Sequence, residues 1–122
     1  MEIEFTEGPA VRCAPADVRF VAVKVEPYPD RQRLKLSYEV TPFLERPSVE
    51  IRMLDPQGAD LGSITIIDIV VPHFSLTAHL RSEVPQAMAV RVVSTLGYDS
   101  LPEVDRHEIV VDLPAGSSPP QP

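Results

Sequence analysis

The sequence predicts an all-β fold, a seven-stranded antiparallel sandwich of two stacked sheets, and two observations carry that expectation. Short segments rich in Val and Ile alternate apolar and polar residues with a period of two, and no window of eleven residues keeps an apolar i, i+3, i+4, i+7 stripe. Fourteen prolines fall mostly between these segments, where each fixes φ and removes a backbone donor, so the chain is cut into short pieces.

The elements follow in order. Ile3 and Phe5 alternate with Glu2 and Glu4, which allows a short edge strand inside an N-terminal segment spanning 1–16. The sandwich is expected over 17–113, beginning with Val18 to Glu26, whose Val21, Val23 and Val25 share one side. In 33–40, Leu34, Leu36, Tyr38 and Val40 share a face opposite the polar residues. Val49, Ile51 and Met53 are expected inward with Glu50 and Arg52 outward. Asp55-Pro56-Gln57-Gly58 has turn chemistry, and predicts a hairpin between 48–54 and a strand over 61–71. That strand is apolar on both sides, with Ile64, Ile66 and Val70 on one and Ile67, Ile69 and Val71 on the other. Phe74, Leu76, Ala78 and Leu80 point inward in the next strand. Met88, Val90 and Val92, then Ile109, Val111 and Leu113, define the last two. Residues 114–122, rich in Pro, Ser and Gly with nothing apolar larger than Ala115, are expected to form a disordered tail.

At 122 residues the chain accommodates one domain, and a core of this size needs neither metal nor disulfide to hold it. The formal charge of −7 repels phosphate backbones, and the arginines are scattered, so nucleic acid is not an expected partner. Cys13, alone, has no internal disulfide partner. The acidic start lacks the basic and apolar pattern of a secretory leader, which with the single cysteine points to the cytoplasm. No apolar stretch approaches the roughly 20 residues of a spanning helix, so no membrane insertion is expected.

In layout, residues 17–113 resemble a fibronectin type III or related immunoglobulin-like module. Leu34 to Pro42 resembles that family's second strand, Val49-Glu50-Ile51-Arg52 with Asp55-Pro56-Gln57-Gly58 its third strand and turn, and Met88 to Val92 its sixth. Tyr38 stands where the family usually has a core tryptophan, and Met88 where a tyrosine usually begins the sixth strand. The resemblance implies a spacer or recognition module and brings no catalytic residues.

Chemistry-bearing constellations are sparse. His73 and His79 lie six residues apart on one strand, about 20 Å at full extension, too far to share a metal ion. His107 lies on another strand and can approach only one of them. Asp55, Asp60, Asp99, Glu103 and Asp105 do not match an EF-hand loop. There is no nucleophile elbow and no glycine-rich phosphate loop, so neither an enzyme, a metal nor a cofactor is expected. Two surfaces remain. The connections 41–47, 71–73 and 95–106 meet at one end of a sandwich and carry Phe43, Leu44, Val71, Tyr98 and Leu101, a candidate protein-binding patch with core capping as its alternative. The doubly apolar strand, through Ile64, Ile66, Ile67 and Ile69, is a candidate edge for a homodimer, with a central, covered position as its alternative. The expected function is a non-catalytic protein-interaction or accessory module. The alternatives are a structural spacer or self-associating subunit, and a module for a small ligand or carbohydrate.

Overall fold

The computed structural model describes residues 11–81 and 89–114. The expectations for Ile3, Phe5, Met88 and the tail beyond Pro114 lie outside them. Among the described residues the chain forms seven strands and a single turn of 3-10 helix at Pro15–Asp17, with no α-helix. The strands are β1 (Phe20–Pro27), β2 (Arg33–Val40), β3 (Ser48–Leu54), β4 (Asp60–Ile66), β5 (His73–His79), β6 (Ala89–Gly97) and β7 (Asp105–Asp112).

They build two antiparallel sheets, one of three strands in the order β1-β2-β5 and one of four in the order β4-β3-β6-β7. Alternation sets which side of each strand is buried. Leu34, Leu36, Tyr38 and Val40 of β2 and Val49, Ile51 and Met53 of β3 are all buried. They belong to one apolar cluster that also takes Ala78 from β5 and Val90, Val92 and Leu96 from β6, so both sheets feed the same interior. A polar contact crosses it: the hydroxyls of Tyr38 on β2 and Ser94 on β6 are 2.7 Å apart. Ser94 is 0% exposed, and its partner satisfies a group that is otherwise costly to bury.

Turn chemistry closes the β3–β4 hairpin where the sequence places it. The Asp55 carboxylate accepts the backbone N–H groups of Gln57 and Ala59, and Gly58 takes φ 92°, a left-handed value that a side chain resists. At the β1–β2 connection Asp30 accepts the Gln32 N–H and pairs with Arg33, contacts that hold its carboxyl below the usual range. Between the sheets at their β1 and β7 edges, the Phe20 N–H donates to Asp105 Oδ2 at 2.9 Å and the Phe20 ring meets His107 edge-on.

Two expectations are corrected. Val21 does not share a side with Val23 and Val25: it is 55% exposed, because the register shifts between Phe20 and Ala22 and that bulge turns Phe20 inward instead. The apolar run 61–71 is not one strand. β4 ends at Ile66, Asp68 takes φ 56°, and the chain crosses from the four-stranded to the three-stranded sheet before β5.

Candidate functional site

The surface with the best claim to function lies at one end of the molecule. Antiparallel pairing places the end of β2, the start of β3, the end of β4, the start of β5 and the β6–β7 hairpin together there. Hydrogen bonds lock the connections to one another. Ile69 N–H donates to Pro47 O at 2.8 Å, Val40 N–H to Pro72 O, and the Tyr98 hydroxyl to Glu45 O at 2.9 Å. The segment before the 3-10 turn joins the same end, since Cys13 N–H donates to Pro42 O and Leu44 N–H to Cys13 O, a short parallel bridge to the β2–β3 loop.

The residues read from sequence divide into two groups here. Phe43 and Tyr98 are half-buried against the core and cap it, whereas Leu44, Val71 and Leu101 stand exposed. Burial pushes the Tyr98 phenol up, with the nearby Glu45 and Cys13 adding to the shift. Sequence reading missed Val11, Arg12, Arg46, Ile67 and Val70 at this end. Val11 and Arg12 reach it through a long-range bridge with no local signal, and the continuous apolar run hid Ile67 and Val70 inside an apparent strand. Of the eight large apolar side chains exposed among the described residues, Val11, Leu44, Ile67, Val70, Val71 and Leu101 belong to these connections. Only Val21 and Val110 lie elsewhere.

Between the segments is a concavity of about 380 Å³ lined by Arg12, Pro42, Phe43, Leu44, Arg46, Val70 and Pro72. A smaller one, about 140 Å³, lies on the β3–β4–β6 side beside Tyr98, Asp99 and Pro102.

The second sequence-derived surface is dispersed. β4 is an edge strand of its sheet among the described residues rather than a central one. Ile64 and Ile66 turn toward the core, Ile69 is buried at 4% exposure, and Ile67 is 72% exposed on the crossover beyond the strand. The four do not form one face.

Some of the polar residues read from sequence have structural partners, whereas the buried His107 Nδ1 has no hydrogen-bond partner among the described residues. Asp60 accepts the Gly62 N–H and pairs with Arg81, and His73 pairs with Glu39 at the surface. No group of three or more His, Cys, Asp or Glu is placed to hold a metal ion among the described residues. No helix among them is long and apolar enough to cross a membrane.

No protein family and no curated protein matches the chain. Solved structures of β-glucuronidase from Ruminococcus gnavus do resemble it. The complexes with D-glucaro 1,5-lactone and D-glucuronic acid and the apo structure each superpose with TM-score 0.50 at 17% identity, over 80% of this chain. The chain spans 16% of the β-glucuronidase chain, and at this identity the likeness carries the fold alone.

Proposed function

We propose that this protein is a non-catalytic interaction or accessory module of the immunoglobulin-like, fibronectin type III-like kind, and that it contacts a protein partner through the end described above. The strand orders β1-β2-β5 and β4-β3-β6-β7 support that sandwich type. One observation carries the reading: six of the eight exposed large apolar side chains gather on connections held together by hydrogen bonds. Water-facing apolar surface is unfavourable by roughly 25 cal/mol per Å², and a contiguous patch on a rigid frame is what a partner covers.

The test is partner capture by the wild-type chain, by Leu44→Ser and Val70→Ser, and by Val110→Ser as a control on β7, with folding checked by circular dichroism. Loss of the captured protein in the first two alone supports the reading, and capture indifferent to them overturns it. A second reading, a structural spacer or self-associating subunit, draws on the outer edge of β4, which has no strand partner among the described residues. Light scattering across a concentration series decides it.

A further inference from the structure

Charge, considered beside the apolar lining, narrows the partner. Most arginines of this acidic chain are already engaged. Arg33, Arg81, Arg91 and Arg106 pair with carboxylates, while Arg19 and Arg31 donate to backbone carbonyls. Arg12, Arg46 and Arg52 have no such partner among the described residues, and two of these three line the 380 Å³ concavity with Phe43, Leu44 and Val70. Glu45, adjacent to Arg46 in sequence, acts on the Tyr98 phenol and makes no ion pair with either arginine. Two arginines lining one concavity beside Phe43, Leu44 and Val70, on a chain whose formal charge is −7, offer a local site for carboxylates amid a field that otherwise repels them.

We infer that the concavity between residues 11–14, the β2–β3 loop and the β4–β5 crossover receives a short acidic and apolar peptide segment of a partner protein, its carboxylates on Arg12 and Arg46 and its apolar side chains on Phe43, Leu44 and Val70. The inference rests on the proposed contact surface and adds the partner's chemistry. A guanidinium's forked N–H groups donate to both oxygens of a carboxylate, which selects acidic over neutral side chains of the same shape.

The experiment is fluorescence anisotropy on the full chain with three labelled hexapeptides, alternating leucine with glutamate, with glutamine or with lysine. The glutamate peptide binds, the glutamine peptide binds about tenfold more weakly, and the lysine peptide does not bind. In the variant carrying Arg12→Gln and Arg46→Gln, the glutamate peptide falls to the affinity of the glutamine one, whereas Arg52→Gln leaves it unchanged. Leu44→Ser weakens both peptides alike. Equal affinity for the glutamate and glutamine peptides, or indifference to the double arginine variant, overturns the inference. So does failure of the glutamate peptide to bind, including the case where sedimentation shows a second copy of this chain filling the site in an arginine-dependent way. If any of these occurs while Leu44→Ser and Val70→Ser still lose a captured protein, only the partner's chemistry falls. If those variants also retain it, the contact surface falls too.

Discussion

Replacing Tyr38 by Phe tests how the two sheets are joined. The ring stays: it packs at 5.2 Å from Phe74 and 5.8 Å from Phe20, centroid to centroid, and Phe keeps both contacts. Only the hydroxyl goes, and with it the 2.7 Å bond to Ser94. Ser94 is 0% exposed, so its own hydroxyl is left buried without that partner. The lost bond and the stranded group together cost about 2 kcal/mol. With an unfolding entropy near 2.1 cal/mol/K per residue, that lowers Tm by about 8 °C. Ser94→Ala costs a similar amount by stranding the Tyr38 hydroxyl. The double variant strands neither, so it is more stable than the sum of the two losses by about 1 kcal/mol. Urea unfolding followed by circular dichroism measures all three. Strictly additive losses, or single variants within 0.5 kcal/mol of wild type by about the usual error, refute the reasoning.

Further outcomes follow from the same structure. Burial raises the phenol of Tyr38 against the lowering effect of the Ser94 bond, and burial raises that of Tyr98 with help from Glu45 and Cys13. The folded state therefore holds protons that the unfolded state releases above its ordinary value of 10.0, so stability is intact below pH 10 and falls as pH rises past it. Thermal melts across pH 8 to 11 check this, and Tyr38→Phe makes the decline shallower. Ile51→Ala, at a fully buried position on β3, loses about 2 to 5 kcal/mol in urea unfolding. At Gly97 an added Cβ overlaps the Pro102 carbonyl across the β6–β7 hairpin, so Gly97→Ala shifts that hairpin and lowers Tm by several degrees, about 4 °C or more. Asp55→Ala removes two turn hydrogen bonds and costs about 1 kcal/mol, read from the urea midpoint.

The strands were most legible where their burial is one-sided. Leu34 to Val40 and Val49 to Met53 alternate cleanly, and each lies in a sheet with one face in the shared core. Alternation failed where the backbone departs from a regular pleat. The bulge at Phe20 and Ala22 inverts the side chain next to it, and no residue there announces it. The run 61–71 misled because a crossover that buries Ile69 and exposes Ile67 is as apolar as a strand. Ser94 falls on the inward alternation of Val90, Val92 and Leu96, but the group that satisfies it there, the Tyr38 hydroxyl 56 positions away, is not visible in sequence. The candidate site was half legible: Leu44, Val71 and Leu101 stand out as apolar residues on connections. Arg12 and Arg46 do not, because their shared concavity depends on the Cys13–Phe43 bridge between distant segments.

The proposed contact surface is tested most directly by mapping amide chemical-shift changes when the captured partner is titrated into the labelled full chain. The account predicts changes concentrated in residues 11–14, 41–47, 67–72 and 98–104, with the outer faces of β1 and β5 silent. Changes concentrated on β4, at Ser63 and Thr65, or spread over those outer faces, contradict it.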